Sequence, residues 1–160
     1  LVYLRANKHR SIFGITNKER DFFRTKLAEL DLGLENRLKS KVGLLSGGQR
    51  QALTLLMATM ITPKLLLLDE HTAALDPATA DKVLTLTEKI VATGQITTMM
   101  ITHNIASALT LGNRTVMMNN GQIILDISGE ERTKMTVPQL LELFKEKSQV
   151  TLDDDRILLA

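Results

Sequence analysis

Two short segments constrain the fold of this chain more than any other feature. The first, residues 45–49, reads Leu-Ser-Gly-Gly-Gln and stands directly before an apolar stretch with three- and four-residue spacing. It predicts a helix that is capped by Ser46. The second, residues 65–70, reads Leu-Leu-Leu-Leu-Asp-Glu. Its apolar part is too short for a helix and does not alternate, which predicts a central parallel strand covered on both faces.

The remaining segments predict an alternation of helices and strands. Thr16 and Glu19 have the spacing of a capping box and predict a helix near the start of the chain. Asp76 and the proline after it predict another helix, which Gly94 closes. Further predictions are a strand at 96–101, a short helix at 104–111, a hairpin of 115–118 and 122–127, and a last helix at 137–147. The order strand, helix, strand, helix after residue 63 predicts the α/β class.

Composition sets limits on the class of protein. With 160 residues, of which 44% are hydrophobic, the chain suffices for one core, so one domain or part of one is expected. A net charge of +2 gives no field that would attract nucleic acid. The sequence has no cysteine, which excludes disulfides and zinc–thiolate sites and fits a reducing cytosol. Its apolar runs are too short to cross a bilayer, so a link to a membrane is expected to go through a partner.

One motif is absent from the sequence. No Gly-x-x-x-x-Gly-Lys-Ser/Thr phosphate loop occurs, and the chain begins at Leu1 rather than Met. We therefore expect an N-terminal portion to lie outside this sequence. The predicted organisation is a helical region at about 1–62, an α/β core at 63–148 and a flexible tail at 149–160 that carries three aspartates.

Together these segments resemble an ABC-type ATP-binding cassette. Residues 45–49 correspond to its signature motif, residues 65–70 to Walker B, residues 73–76 to the D-loop and His103 to the H-loop. The resemblance extends from Thr16 to about Lys147. It implies the later part of a P-loop NTPase-like cassette, with a helical signature subdomain, a parallel-sheet α/β core and a C-terminal hairpin and helix.

The resemblance implies roles for three residues in ATP hydrolysis. Asp69 is expected to hold Mg²⁺, usually through water, and Glu70 to polarise the attacking water as the general base. Adjacent side chains at a strand end point to opposite sides, which would separate these two tasks. His103 is expected to contact the γ-phosphate. The structural alternatives are two solvated acids at a strand end and a histidine with a purely local role.

A second set of residues is expected to bind nucleotide from the other subunit. In such cassettes the signature motif faces the γ-phosphate of ATP held by a second subunit, in a head-to-tail dimer. The residues concerned are Ser46, Gly47, Gly48 and Gln49, together with Asp76 of the D-loop. Glycines at a helix start leave backbone N–H groups open to a phosphate. The alternative is that this turn only caps the helix, and both interpretations are compatible.

The function implied by the resemblance is that of an ATPase subunit of an ABC transporter. Its cofactors would be ATP and Mg²⁺, and its partners a second ATP-binding subunit and transmembrane permease subunits. A substrate-binding protein is a further candidate partner, and nucleic acid is not. The subunit would lie on the cytoplasmic face of the cell membrane. The alternatives are a non-transport ABC ATPase and a truncated, non-catalytic interaction module.

His71 departs from the pattern of the family, which commonly has proline after the Walker B glutamate. Three interpretations of the histidine are open. It is a neutral surface substitution, it tunes the pH response of Glu70, or it binds a metal.

Overall fold

The computed structural model describes the backbone of residues 15–158 and the side chains of residues 15–147. The predicted helical region before residue 15 and the last two residues of the predicted tail lie outside these residues. The contacts divide the chain into two compact units, with the boundary between Ile101 and Thr102.

The first unit contains two helices, a strand, a long helix and a second strand. These are α1 (Asn17–Ala28), α2 (Gly47–Thr59), β1 (Leu66–Asp69), α3 (Pro77–Gly94) and β2 (Thr98–Ile101), with 3₁₀ turns at Leu34–Asn36 and Val42–Leu44. All three helices begin at caps that the sequence predicts, namely Thr16, Ser46 and Asp76. The predicted α/β order is therefore confirmed in this unit.

A small leucine-rich core fixes α2 against the turn that precedes it. Leu34 and Leu45 are buried together with Ala52 and Leu56 of α2. Not every apolar residue of α2 is covered, because Met57 is 58% exposed whereas Leu55 is buried. Leu55 packs with the strands rather than with the leucines of the turn. Helix α2 therefore packs both on the turn and on the sheet.

Strands β1 and β2 form a parallel pair, as predicted, with Leu67 opposite Met99 and Asp69 opposite Ile101. Only one face of the pair is covered by other described residues. Leu66 and Leu68 pack there, whereas on the other face Leu67 is 65%, Met99 55% and Ile101 53% exposed. The predicted coverage of β1 on both faces is thus not found within residues 15–147, because α2 and α3 contribute side chains to one face alone.

The second unit is built around a hairpin. Its elements are α4 (Ile105–Thr110), β3 (Arg114–Asn119), β4 (Gln122–Ser128), α5 (Gly129–Lys134) and α6 (Val137–Leu158). Strands β3 and β4 are antiparallel, as predicted. Asn120 and Gly121 link them at φ 46° and 78°, which suits a two-residue hairpin loop. Helix α5 was not predicted.

The last helix is longer than predicted. It begins at Val137, as expected, but continues to Leu158 instead of ending at Lys147. No proline or glycine occurs between residues 148 and 158, so no strong helix breaker ends it. Residues predicted as a tail are therefore helical in backbone conformation.

Arg132 of α5 is a buried charged residue that holds the end of α4. Its Nε donates to Thr115 Oγ1 at 2.8 Å, and its Nη2 donates to the carbonyl of Leu111. Thr115 Oγ1 in turn donates to the carbonyl of Ala108 at 2.6 Å. Carbonyls at a helix C-terminus lack intrahelical donors, so Arg132 satisfies groups that would otherwise need water.

Replacement of Arg132 tests this role. Arg132→Met should lower the free energy of unfolding by about 1–3 kcal/mol, because it leaves carbonyls without their donor. Urea denaturation of the chain measures the change. Lys134→Met on the same helix is the matched control, since the Lys134 pair with Glu130 is exposed and should contribute little. Equal losses in the two variants would contradict the proposed role.

Candidate functional site

The start of α2 is held by reciprocal hydrogen bonds between Ser46 and Gln49. The Gln49 N–H donates to Ser46 Oγ at 3.2 Å, and the Ser46 N–H donates to Gln49 Oε1 at 3.1 Å. This is a capping box, and it confirms the predicted cap. The side chain of Gln49 also donates through Nε2 to the carbonyl of Leu32 at 3.0 Å. Gln49 thereby ties the helix start to the turn after α1.

The capping box leaves two donors at the helix start. The N–H groups of the first helical turn have no intrahelical partner. Ser46 takes up the N–H of Gln49, so among the described residues Gly47 and Gly48 supply the remaining N–H groups of this turn. They lie at the positive end of the helix dipole, where an anion is favoured.

A neighbouring segment approaches both glycines closely, and the space at Gly48 admits no side chain without a shift. A Cβ on Gly48 would lie 2.2 Å from Thr79 Cγ2, and one on Gly47 would lie 3.0 Å from Leu75 Cδ2. The first distance is far below any real contact of a Cβ. The helix start therefore packs directly on residues 75–79, which include Asp76.

Asp76 caps α3 as Ser46 caps α2. Its Oδ1 accepts from the Thr79 N–H at 3.0 Å, and the side chain is exposed. Hydrogen bonds from the Thr79 side chain and backbone lower the pKa of Asp76 below its ordinary value. Asp76 is thus a carboxylate at neutral pH, and it belongs to the segment that touches Gly47 and Gly48.

Asp69 and Glu70 follow the covered part of β1, and both are exposed. Asp69 is the last strand residue, on the same face as Leu67. Glu70 has φ 43°, in the left-handed region that residues with a Cβ rarely adopt. Its N–H donates to the Ile101 carbonyl at 3.0 Å, and its carbonyl accepts from Ala73 N–H at 3.0 Å. Strand alternation therefore does not set the direction of the Glu70 side chain, contrary to expectation.

His71 is half-buried beside α3 rather than a free surface residue. Its Nε2 lies 3.2 Å from Thr87 Oγ1, a buried hydroxyl that donates to the Val83 carbonyl at 2.7 Å. Burial lowers the pKa of the imidazole below its ordinary value. The ring is therefore neutral at pH 7.

His103 lies in the second unit, at the loop before α4, and is exposed. The residues on either side are fixed by local hydrogen bonds. Thr102 Oγ1 accepts from the Asn104 N–H at 3.0 Å, and Asn104 Oδ1 accepts from the Ser107 N–H at 3.0 Å. The loop is thus held in place independently of any ligand.

The described residues offer no cluster of three or more histidine, cysteine, aspartate or glutamate side chains that could hold a metal ion. Asp69 and its neighbour Glu70 are two exposed carboxylates at the end of β1. That suits Mg²⁺, which keeps several waters and often needs only one or two carboxylates together with phosphate oxygens.

Sequence reasoning missed two residues that shape this region. Thr79 sets the space available to Gly48, and Thr87 is the partner of His71. Neither has a sequence signal, because each acts through a contact with a distant segment. The Gln49 bond to Leu32 was missed for the same reason.

Comparison with known proteins agrees with these motifs. The sequence profile of the family described as ABC transporter matches residues 4–73. A tyrosine transport ATP-binding protein of Clostridioides difficile (strain R20291) is 49% identical over 119 residues, which cover 74% of this chain and 47% of the relative. The chain belongs to the ABC transporter family.

Other ABC transporter proteins are also similar to this chain in sequence or in fold. A methionine import ATP-binding protein of Bacillus subtilis (strain 168) is 37% identical over 153 residues, covering 89% of this chain and 45% of the relative. The ADP conformation of an ATP-binding cassette of an ABC transporter matches with a TM-score of 0.66 and 27% identity, covering 88% of this chain and 55% of the other. The fold is therefore that of an ABC cassette. The chain spans about half the length of these relatives.

One further feature concerns membranes. Among the described residues of this ABC family member, no helix is both long and apolar enough to cross a bilayer.

The contact between Gly48 and Thr79 can be tested by suppression. Gly48→Ala should lower the free energy of unfolding by about 1–3 kcal/mol, because the new methyl overlaps Thr79 Cγ2. Adding Thr79→Ala should restore much of the loss, since the nearest remaining atom, Thr79 Cβ, would lie 3.7 Å away. Urea denaturation of single and double variants measures the coupling.

The control for this cycle is Gly43→Ala, whose added Cβ would meet nothing within 4 Å. It should change stability little, with or without Thr79→Ala. If the effects of Gly48→Ala and Thr79→Ala simply add, the close approach does not explain the glycine.

Proposed function

We propose that this chain is part of the ATP-binding and ATP-hydrolysing subunit of an ABC transporter, which powers solute transport through partner membrane subunits. The observation that carries the proposal is the arrangement of the first unit. It combines a helix start with open Gly47 and Gly48 N–H groups and a strand end with two exposed carboxylates, Asp69 and Glu70. The N–H groups can bind a phosphate, and a carboxylate can act as the base in the hydrolysis of ATP.

The start of α2 would bind the γ-phosphate of ATP. The N–H groups of Gly47 and Gly48 would donate to phosphate oxygens, aided by the helix dipole. Ser46 Oγ accepts from Gln49, but a hydroxyl also has one proton to donate, so it can serve the cap and the phosphate together. Gln49 would act by holding this geometry through its bonds to Ser46 and Leu32.

Glu70 would act as the general base and Asp69 would hold Mg²⁺. When bound, Mg²⁺ neutralises charge on the phosphate oxygens. The backbone of Glu70 is fixed by its bonds to Ile101 and Ala73, so its carboxylate extends from a rigid point. A base held in this way contributes about 10²–10⁴ to the rate. His103 would donate to a γ-phosphate oxygen.

The site would be completed by a second subunit in a head-to-tail dimer. No phosphate-loop motif occurs in residues 1–160, so a competent site needs that loop from outside this sequence. The signature motif would then face ATP held by the partner. Because the motif packs on residues 75–79, a movement of the D-loop that carries Asp76 would move the signature helix with it.

The transported solute would be a small organic molecule such as an amino acid. The names of two relatives, a tyrosine transport protein and a methionine import protein, support this class. Permease subunits would supply the path through the membrane, with this subunit on its cytoplasmic face, and a substrate-binding protein would deliver the solute.

Replacement of Glu70 tests the assignment of the base. In the ATP-hydrolysing assembly, Glu70→Gln should reduce kcat by about 10²-fold or more while ATP still binds, because an amide keeps the shape but takes no proton. ATP turnover and retention of labelled ATP measure the two effects. Glu88→Gln, at an exposed position on α3, is the control and should behave like the parent. Turnover at the parental rate in Glu70→Gln would exclude Glu70 as the base.

The two-subunit site can be tested with mixed dimers. In a Thr79→Ala background, which makes room for a side chain at residue 48, Gly48→Asp should abolish hydrolysis but leave ATP binding by the single subunit largely intact, because the lost phosphate contact belongs to the partner's nucleotide. Mixing Gly48→Asp subunits with subunits whose phosphate loop is disabled should restore part of the activity. Both lesions then fall on one site, and the other site is intact.

The control is a covalently linked dimer with both lesions on the same subunit, which damages both sites. Recovery in the mixed dimer must exceed this control. Mixed dimers that form but remain as inactive as the control would contradict independent composite sites.

A further inference from the structure

The His71 ring is oriented by a single chain of hydrogen bonds. Thr87 Oγ1 donates its only proton to the Val83 carbonyl at 2.7 Å. The same oxygen lies 3.2 Å from His71 Nε2 and must therefore accept there. This assigns the proton of the neutral ring to Nε2 and leaves Nδ1 with a lone pair. The ring is thus held in one tautomer by α3.

The turn of residues 70–75, which contains His71, begins at a residue with a strained backbone. Glu70 has φ 43°, a conformation that costs a residue with a Cβ free energy and persists only when its surroundings enforce it. The turn has its own hydrogen bonds, from Ala73 N–H to the Glu70 carbonyl at 3.0 Å and from Leu75 N–H to the Thr72 carbonyl at 3.1 Å. The Glu70 N–H also donates to the Ile101 carbonyl of β2 at 3.0 Å, so these bonds hold the turn to itself and to β2, but none of them reaches α3.

We propose that His71 is a positioning residue for Glu70, and that its Nε2–H bond to Thr87 anchors the turn of residues 70–75 to α3. This inference rests on the proposed role of Glu70 as the general base. His71 itself would not touch the nucleotide. The anchor would keep Glu70 in its strained conformation, with the carboxylate where the attacking water lies. A small displacement of such a group costs a large factor in rate.

Two pairs of variants test whether the hydrogen bond between residues 71 and 87 is what matters, rather than the size of the two side chains. Glutamine places an N–H donor at about the reach of Nε2, whereas asparagine is shorter and does not. His71→Gln should therefore retain most activity, and His71→Asn should lose it. At the other end, Thr87→Ser keeps the hydroxyl and Thr87→Val removes it. His71→Gln and Thr87→Ser, which keep the hydrogen bond, should behave like the parent.

The expected signature is kinetic. In the ATP-hydrolysing assembly, His71→Asn and Thr87→Val should each lower kcat about 10- to 100-fold, with the KM for ATP changed less than about twofold. The double variant should be no worse than either single variant, because both remove the same bond. In a Glu70→Gln background, His71→Asn should have no further effect on turnover.

A second readout does not depend on activity. The ¹³C and ¹⁵N shifts of the His71 ring in the chain itself should report the Nε2–H tautomer. Thr87→Val should change them toward a mixture of tautomers, whereas Thr87→Ser should not. A ring that is already a mixture in the parent chain would overturn the anchor.

The outcomes distinguish this inference from the proposed function. If Glu70→Gln stops turnover but His71→Asn has the parental kcat, the positioning role is refuted and the function stands. If Glu70→Gln has the parental rate, the proposed base is refuted first. If His71→Asn and His71→Gln lose activity equally, with equal losses of thermal stability, His71 only supports folding and the inference fails.

Discussion

The rest of the first unit depends on the approach of α2 to the segment before α3. Gly48 lies so close to Thr79 that no larger residue fits without a shift. This contact joins the two helix starts, each of which is capped by a polar side chain, Ser46 or Asp76. Because the core behind them is closely packed, neither start can be displaced alone. The N–H groups of Gly47 and Gly48 are thereby placed by packing within the chain itself.

The sequence predicts this architecture well where local rules decide it. Capping residues, an apolar strand and a two-residue hairpin loop act over a few positions, and the helices and strands they predict are found. Contacts between distant segments could not be predicted in this way. Glu70, at positive φ, donates its N–H to Ile101, and His71 is hydrogen-bonded to Thr87, in each case far away along the chain. The candidate residues were identified by their motifs, whereas their geometry required the fold.

The coverage of β1 shows a different limit of sequence reasoning. Four successive leucines do not reveal which of them face other described residues. In the structure Leu66 and Leu68 are covered, while Leu67 remains exposed beside Met99. Apolar side chains are also common on protein surfaces, so an apolar run does not by itself show which of its positions are covered. The face that carries Asp69 is therefore apolar up to the carboxylate.

The capping box at the start of α2 has a consequence for the evolution of such chains. In residues 45–49, the leucine is buried, the serine and glutamine cap each other, and the glycines make room for residues 75–79. Each residue of the motif thus makes a contact or fills a close space within the fold, whatever its part in binding nucleotide. A descendant that lost catalysis would still be selected to keep the five letters.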